Sequence, residues 1–217
     1  MKLLVAVMTC HKLDYYVDDC TQDWVNQQGW RNLDQQARVA AIRATWAKAL
    51  PDVDYKFFYG NRLRQERERR NQTQITLRAP ESDEVFLDCG DNYTSNPAKM
   101  KAICAWALAH GYDYILRCDD DTFIYPEKII ARDAPLWNNK DYSGSLVTGY
   151  EFHPGGCMFL SARAMQFVID APVTCWADDT WIGQVMRDHQ IPLNAAPRIY
   201  NPGGMNYNVS PTMDIAD

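Results

Sequence analysis

The sequence contains no hydrophobic run long enough to cross a membrane. Its N-terminal apolar run, Leu3–Met8, falls far short of the roughly 20 residues that a transmembrane helix needs. A secretory signal peptide would need a longer apolar core and small residues at a cleavage site. We therefore interpret this run as a first buried strand. With no targeting segment, we expect a cytoplasmic protein, either of a bacterium or of a virus-infected host cell.

The sequence also lacks an excess of basic residues. Its 28 Asp and Glu residues outnumber 22 Lys and Arg residues, and the net charge is −6. The molecule as a whole therefore does not attract nucleic acid or anionic membranes. A local exception is a run in which five arginines alternate with two glutamates. It could follow a phosphate backbone, although a solvated, self-paired helix also explains it. The arginines are Arg62, Arg64, Arg67, Arg69 and Arg70.

The seven cysteines lack the paired spacing of a zinc site, and their odd number does not complete a disulfide framework. Several lie within apolar runs, where a reduced cysteine behaves as a small hydrophobe. We expect free thiols in a reducing compartment. A nucleophilic cysteine is a weaker alternative.

What the chain does contain is an alternation of strand and helix patterns, with 47% hydrophobic residues to build a core. Strands are predicted at 3–8, 55–60, 84–90 and 114–116, and helices at 33–50, 97–110, 162–170 and after Pro172. This alternation is typical of an α/β fold with helices on the faces of a sheet. The carboxyl ends of parallel strands share one edge, where ligands bind in open α/β sheets.

Three consecutive aspartates, Asp119, Asp120 and Asp121, follow the last of these strands. Asp88, at the end of the third strand, falls at the same edge. Repulsion makes such a cluster costly unless a cation or a positive partner offsets it. Dense oxygen ligands suit Mg²⁺ or Mn²⁺, especially when substrate phosphates complete the coordination shell. For an isolated triplet, a solvated acidic turn is the alternative.

A second pair of carboxylates, Asp178 and Asp179, opens the last predicted helix. The helix dipole favours acidic residues there, so capping is one explanation. A positioned carboxylate can also take a proton from a reacting hydroxyl. Trp181 could stack on the ring of an acceptor or pack in the core. We interpret His153 as a polar wall residue rather than a base.

Seven short segments stand in a fixed order along the chain. They are VMT (7–9), RVAAIRATW (38–46), FFYG (57–60), DNYTSNPAK (91–99), RCDDDTF (117–123), PGGCMFLSARAM (154–165) and ADDTWIG (177–183). In this order they resemble the glycosyltransferase superfamily that contains the β1,3-galactosyltransferases, Fringe and the core 1 O-glycan galactosyltransferase. The aspartate triplet is similar to the family's Lys-x-Asp-Asp-Asp signature, with Arg117 in the basic position.

The resemblance implies the GT-A glycosyltransferase fold, with a Rossmann-like, mostly parallel central sheet flanked by helices. It implies a single domain, 1–217, with a nucleotide-binding half at 1–121 and an acceptor-binding half at 122–217. It also implies a UDP-sugar donor, Mn²⁺ or Mg²⁺ as cofactor, and inversion at the anomeric carbon. The chain departs from the family by lacking its signal anchor, its disulfides and a histidine after His189, where relatives place a metal ligand. Water or Asn201 could replace that ligand.

Residue roles are implied by the same resemblance. Asp121 is expected to bind the metal directly. Asp119 is expected to complete the D-x-D pair, through water or by a contact with the ribose, and Asp120 to orient the loop or contact a sugar hydroxyl. Asp179 is expected to be the general base, with Asp178 as the alternative. Further contacts to the donor are expected from Thr9, Arg38, Arg43, Lys99, Gly155 and Gly156. For Lys99 the expected contact is a phosphate or the aspartate cluster itself.

The leading hypothesis is a metal-assisted, inverting glycosyltransferase that uses a UDP-sugar. A metal-dependent phosphohydrolase or nuclease, and a non-catalytic nucleotide-sugar binder, are the alternatives. A short enzyme of this type fits a virus, phage or bacterium. Its acceptor would be a glycan, a protein or a hydroxymethylated base in phage DNA.

Overall fold

A computed structural model gives the fold of most of the chain. It describes residues 1–10, 35–50, 52–61, 79–129, 139–146, 149–153, 156–196 and 200–202. The arginine run and Gly155 lie outside these residues, so their predicted roles stay predictions.

Seven of the described strands form one mixed sheet. In spatial order they are β3 (Glu84–Phe86), β2 (Asp54–Tyr59), β1 (Leu3–Met8), β4 (Tyr114–Asp119), β7 (Cys157–Ser161), β6 (Tyr142–Gly144) and β8 (Asn194–Ala195). The first four run parallel, and β7 is antiparallel to β4. A separate ribbon pairs β5 (Thr122–Ile124) with β9 (Tyr200–Pro202). The predicted α/β architecture with a mostly parallel central sheet is confirmed.

The register brings several strand ends to one edge of the sheet. Met8 at the end of β1 lies opposite Asp119 at the end of β4. Thr9 continues the ladder, because its amide donates to the Phe58 carbonyl of β2 at 3.0 Å. Since β7 runs in the opposite direction to β4, its start, directly after Gly156, comes to the same edge.

Strand β4 is longer than the predicted 114–116. It is paired by β1 as far as Asp119 and by β7 as far as Cys118, so hydrogen bonds on both sides extend it. The hydrophobic pattern predicted an end at residue 116 because the next residue, Arg117, is charged. In the structure Arg117 nevertheless occupies a buried position inside the strand. The third strand is shorter than predicted and ends at Phe86. Beyond it the chain turns, and the amide of Cys89 donates to the carbonyl of Leu87 at 2.9 Å.

Five described helices flank the sheet. They are α1 (Gln35–Ala44), α2 (Asn96–Ala109), α3 (Pro126–Ile129), α4 (Ala162–Asp170) and α5 (Asp178–Asp188). Helix α1 ends before residue 50, the end of the predicted helix 33–50, because the chain turns at Thr45 and continues as a 3₁₀ turn at Ala47–Ala49. This turn buries the Trp46 indole, whose N–H donates to the Thr122 carbonyl at 3.1 Å.

Alternate residues of β1 pack on opposite faces of the sheet, as the period of a strand requires. One face carries Leu4, Ala6 and Met8 and packs against α2, α4 and α5; the other carries Leu3, Val5 and Val7 and packs against α1. The edge that holds the aspartates is therefore supported by two apolar layers. None of the described helices has the length and apolar character needed to cross a bilayer.

Candidate active site

Five carboxylates meet at this edge of the sheet, and together we call them the acidic cluster. They are Asp119, Asp120 and Asp121 from the end of β4, and Asp178 and Asp179 from the first turn of α5. The charges of Asp120, Asp121 and Asp178 all act on Asp119, and the charge of Asp179 acts on Asp178. The two sequence motifs thus form one site.

Asp120 is anchored within the protein. Its Oδ2 accepts a hydrogen bond from the Thr9 hydroxyl at 2.7 Å, and its Oδ1 accepts one from Nη1 of Arg38 at 2.9 Å. The same Arg38 nitrogen lies 3.7 Å from Oδ2 of Asp121. The structure thus brings Thr9 and Arg38 to the site, where both hold the aspartate loop. Of the two roles predicted for Asp120, these contacts favour orientation of the loop.

Lys99 lies buried beneath the acidic cluster. Its side chain is 2% exposed, and the ammonium donates to Asp91 Oδ1 at 2.9 Å and to the Thr9 carbonyl at 2.6 Å. Burial alone would lower the pKa of Lys99, but Asp91 holds that pKa above its usual value. Asp91 Oδ1 also accepts the Gly60 amide at 2.6 Å. Lys99 therefore fixes the ends of β1 and β2, and the predicted phosphate contact would require this ion pair to open.

Two glycines of the recognised segments are explained by close packing. A Cβ on Gly60 would collide with the Gly90 carbonyl and the Asp91 backbone. A Cβ on Gly183, in α5, would collide with the side chain of Phe152. Only glycine leaves room for these approaches, which keep the loop after β3 against β2 and the 149–153 segment against α5.

Arg117 joins the two carboxylate motifs. Its Nη2 lies 2.9 Å from Asp119 Oδ1 and donates to Asp178 Oδ2 at 2.8 Å. Arg117 and Asp178 are both buried, and the N-terminal position of Asp178 in α5 adds the favourable helix dipole. The end of β4 and the start of α5 are therefore locked together, and this ion pair accounts for Asp178.

The acidic cluster carries more negative charge than Arg38 and Arg117 neutralise. Burial raises the pKa of Asp119 well above its usual value; Arg117 opposes this shift and Asp121 adds to it. Burial likewise raises the pKa of Asp121, with Arg38 opposing and Asp120 adding. A raised carboxyl pKa means that the ionised form is poorly stabilised, and a bound cation would correct this.

The carboxylates suit a divalent cation that the substrate helps to hold. The side chains of Asp119 and Asp121 are 35% and 37% exposed, whereas Asp120 is buried. Within the described ranges, no three His, Cys, Asp or Glu side chains are grouped to hold a metal by themselves. Mg²⁺ is commonly bound by one or two protein carboxylates, with substrate phosphate oxygens and water completing its coordination shell. Asn201, the suggested further ligand, lies on β9, where it pairs with Phe123 just beyond Asp121.

Asp179 is the more accessible member of the second pair. Asp178 is enclosed and bonded to Arg117, whereas Asp179 is only partly buried. Its Oδ1 accepts the Thr180 amide at 2.7 Å and lies 3.3 Å from the Thr180 hydroxyl, which orients the carboxylate. Of the two carboxylates, Asp179 is thus the one that a molecule bound at the site could reach.

Arg43 is not brought together with the other predicted donor contacts. Its guanidinium forms a bidentate pair with Asp83 at 2.7 and 2.9 Å, donates to Glu84 at 3.1 Å and lies 3.4 Å from Glu81. The hydrogen bond to Asp83 is the main cause of its raised pKa. This acidic group at the start of β3 accounts for Arg43 without a nucleotide.

Trp181, considered as a stacking residue for an acceptor, is instead a core residue. It is 1% exposed, and its indole N–H donates to the Pro172 carbonyl at 2.9 Å.

His153 is also buried, with Nδ1 2.9 Å from the Ser145 carbonyl, and burial lowers its pKa. A neutral, enclosed imidazole agrees with the interpretation of His153 as a wall residue. Gly156 lies at the site edge, where its carbonyl accepts the Thr122 hydroxyl at 3.1 Å.

Cys10 adjoins the site but stays protonated. The six cysteines among the described residues are free thiols. Burial raises the pKa of Cys10 to about 12, even though Lys99 opposes the shift. Because the thiolate is the nucleophilic form, this environment argues against a cysteine nucleophile here.

An aromatic pair beside the acidic cluster was missed by the sequence analysis. Tyr93 follows the Asp91 loop, Trp176 precedes α5, and their ring centroids are 5.6 Å apart at an interplanar angle of 45°. Tyr93 lies within the recognised segment DNYTSNPAK (91–99), and Trp176 directly precedes the recognised segment ADDTWIG (177–183). These positions were the signal in the sequence that could have indicated the pair.

Comparisons with known proteins give one family match and two structural likenesses. A family model described as Galactosyltransferase matches residues 37–156, more than half of the chain, including the aspartate triplet. No curated protein matches significantly. A solved "putative nucleotide-diphospho-sugar transferase" from Desulfovibrio desulfuricans G20 is 10% identical, with 90% of this chain and 80% of that chain covered and a TM-score of 0.49. A homologue of a Mycobacterium tuberculosis protein, from Mycobacterium sp. strain JC1, is 10% identical, with 90% and 86% covered and a TM-score of 0.45. With both TM-scores below 0.5, neither likeness bears on function.

Proposed function

Because the chain belongs to the galactosyltransferase family, we propose that it moves a sugar from a UDP-sugar to an acceptor hydroxyl, with inversion and with the help of a divalent cation. The observation that supports this most is the junction of the two carboxylate motifs through Arg117. One motif is suited to the leaving group and the other to the acceptor. Glycosyl transfer needs both functions within reach of one anomeric carbon.

The aspartate triplet serves the leaving group in this proposal. Asp119 and Asp121 hold the cation, which when bound neutralises the charge that develops on the departing diphosphate. Asp120, fixed by Thr9 and Arg38, keeps the loop in place while its two neighbours remain partly exposed. The Arg38 guanidinium is close enough to Asp121 to contact the donor's phosphates as well.

The second pair serves the acceptor. Asp179 takes the proton from the acceptor hydroxyl as that oxygen forms a bond to the anomeric carbon and the bond to the diphosphate oxygen breaks. A base on the face opposite the leaving group gives inversion, by the logic that governs inverting glycosidases. Asp178 does not need to titrate in this scheme, because its ion pair with Arg117 places the first turn of α5.

A panel of UDP-sugars tests the proposal. The purified protein is incubated with each UDP-sugar, with Mn²⁺ or with a chelator, and UDP and free sugar are measured. We expect Mn²⁺-dependent release of UDP with one or a few donors, and incorporation of the sugar into an acceptor when one is supplied. Release of inorganic phosphate without loss of sugar would instead indicate a phosphohydrolase. Nucleotide binding without any turnover would indicate the non-catalytic alternative.

The acceptor classes predicted from the sequence share a reactive hydroxyl, so the same assay separates them. Oligosaccharides, glycosylated or unmodified peptides, and hydroxymethylated DNA are supplied in turn with the active donor. Incorporation into DNA would make the arginine run the first candidate for the phosphate-binding segment, to be tested by replacing its arginines with Gln and measuring the salt dependence of DNA binding. Incorporation into a glycan would leave that run without an acceptor role.

Replacing Arg117 by Met is expected to destabilise the fold in a pH-dependent way. Removing one partner of a buried ion pair typically costs about 3–5 kcal/mol, and Asp178 would be left buried without its counter-ion. Burial already raises the Asp178 pKa above the unfolded value, and losing Arg117 raises it further. The folded variant then holds this proton more tightly than the unfolded chain, so the penalty grows as the pH rises above the unfolded carboxyl pKa. Urea unfolding should show a larger loss at pH 7 than at pH 4.

The matched variant Arg117→Lys keeps the positive charge and should recover part of the stability at pH 7. Equal destabilisation of the Met variant at pH 4 and pH 7 would contradict an electrostatic role for Arg117. It would indicate that the side chain acts through packing alone.

A further inference from the structure

Two cysteines face each other across neighbouring strands at the edge of the sheet that carries the site. Cys118 of β4 is the register partner of Cys157 of β7. Both are buried free thiols, and both side chains lie in the apolar layer that packs against α1. Residues that are directly opposite and on the same face of a sheet are neighbours in space. We call these two residues the thiol pair.

The hydrogen bonds of β7 show which kind of antiparallel pair the two cysteines form. The Ser161 amide donates to the Asp141 carbonyl at 3.0 Å, on the side of β6 and away from β4. Since orientation alternates along a strand, Cys157, four residues earlier, also turns its amide away from β4. Cys118 and Cys157 therefore form a non-hydrogen-bonded pair, in which the Cα atoms are about 4.5 Å apart and the side chains are closest. This separation falls within the span of about 4.4–6.8 Å that a disulfide bridges.

The thiol pair is continuous with two parts of the candidate active site. Asp119 directly follows the first cysteine, and Gly156 directly precedes the second. Asp119 Oδ1 lies 2.9 Å from Nη2 of Arg117, and the Gly156 carbonyl accepts the Thr122 hydroxyl at 3.1 Å. The Cβ atoms of a facing pair lie about 4.5–5.5 Å apart, but only about 3.8 Å apart in a disulfide. Closing the pair draws the two strands together, and the close-packed interior passes this shift to both neighbours.

We propose that the thiol pair is a redox switch for the cation site, in which a disulfide between Cys118 and Cys157 displaces Asp119 and weakens binding of the cation and the donor diphosphate. The effect on the donor rests on the proposed function. The oxidant is a low-molecular-weight disulfide. Cys157 attacks one of its sulfurs and releases one thiol; Cys118 then attacks the Cys157 sulfur of the mixed disulfide and releases the second thiol. Two electrons pass from the pair to the oxidant, and the two released thiols carry the two protons.

Burial of the thiol pair controls how fast this exchange occurs. The two side chains are 0% and 1% exposed, and burial raises the pKa of both thiols. Because the thiolate is the attacking form, exchange is slow in the closed structure and proceeds when the segment opens locally or while the chain folds. The experiment therefore has to measure the position of the equilibrium and not the rate.

The test uses mixtures of reduced and oxidised glutathione. One sample of the folded protein is incubated to equilibrium in each mixture, and a second is refolded from urea in the same mixture. Free thiols are then blocked, and mass spectrometry of unreduced peptides maps the linkages. We expect Cys118–Cys157 as the dominant linkage. In the linked protein the Kd for UDP with Mn²⁺ should be about tenfold higher, the scale of disturbing the surroundings of metal ligands. Dithiothreitol should restore the affinity.

Three variants make the result specific. Cys118→Ala and Cys157→Ala should each abolish the effect of the oxidised mixture on the Kd for UDP. Cys104→Ala is the matched control, because it removes an equally buried thiol that lies in α2, on the opposite face of the sheet. This variant should respond to the glutathione mixtures as the wild type does.

Three results would overturn the inference. The first is a linkage map in which neither sample contains the Cys118–Cys157 disulfide. The second is a linked protein that binds UDP and Mn²⁺ as tightly as the reduced protein. The third is an oxidant effect that persists in Cys157→Ala. A reduced wild-type protein that binds no nucleotide would refute the proposed function instead, while the linkage map, which needs no substrate, still decides whether the pair closes.

Discussion

Asp179→Asn is expected to lower the rate of sugar transfer by about 10²-fold or more, the usual scale for the loss of a general base. The amide keeps the shape of the side chain but cannot take a proton from the acceptor hydroxyl. The donor contacts do not involve Asp179, so the Kd for UDP should change little. Single-turnover transfer with the donor identified by the panel measures the chemical step directly.

Two other variants of α5 make this result specific. Asp188→Asn, at the far end of the helix, removes a carboxylate that accepts a hydrogen bond from Gln184 on the surface, and should transfer sugar at the wild-type rate. Asp178→Asn weakens the pair with Arg117 and should reduce stability as well as rate. A normal rate in Asp179→Asn, combined with a stable but inactive Asp178→Asn, would move the base to Asp178.

The sheet and the position of its functional edge could be predicted from the sequence because both depend on local patterns. Apolar runs ending in Asp, Gly or Thr mark strands whose ends meet at one edge, and the register of β1 with β4 places Met8 opposite Asp119 as this requires. Helix α4 was predicted with its observed bounds. There Ser161 is an N-cap whose hydroxyl accepts the Ala164 amide, a signal visible in the sequence.

The pairing of charges could not be predicted in the same way. Arg38 and Arg43 lie on one helix, and only the family resemblance, not the helical pattern, favours Arg38 as a donor contact. In the structure Arg43 pairs with Asp83 and Glu84, whereas Arg38 meets Asp120. Which acid each arginine meets depends on how α1 lies against the sheet, which is a tertiary property. The sequence carries no sign of it.

The two tryptophans of the α5 region are a second case in which the sequence could not predict the tertiary environment of a side chain. Trp181 and Trp176 both adjoin the acidic pair, but only the three-dimensional packing shows that the first is enclosed and the second exposed. A helical period predicts which face of α5 is apolar. It does not extend to a residue that precedes the helix, as Trp176 does.

Asp121→Ala is expected to abolish sugar transfer and to remove the effect of Mn²⁺ on UDP binding. Asp121 is partly exposed, and its contact with Arg38, at 3.7 Å, is longer than a hydrogen bond. Without it, Asp119 would be the one partly exposed triplet carboxylate left for the cation, since Asp120 is buried and bonded to Thr9 and Arg38. Calorimetric titration of UDP with Mn²⁺ and with a chelator measures the effect.

The stability of Asp121→Ala shows whether its loss of transfer comes from a lost metal ligand or from a damaged fold. The folded-state pKa of Asp121 is raised by burial, so its ionised form opposes folding at any pH above the unfolded carboxyl pKa. Asp121→Ala removes that penalty, and its free energy of unfolding at pH 7 should equal or exceed that of the wild type. An inactive variant that is at least as stable indicates a carboxylate kept for its ligand rather than for the fold. Asp188→Ala, at an exposed aspartate at the far end of α5 whose carboxylate accepts a hydrogen bond from Gln184, should keep both transfer and the Mn²⁺ effect. If UDP binds Asp121→Ala with wild-type affinity, both with Mn²⁺ and with chelator, Asp121 is not a metal ligand.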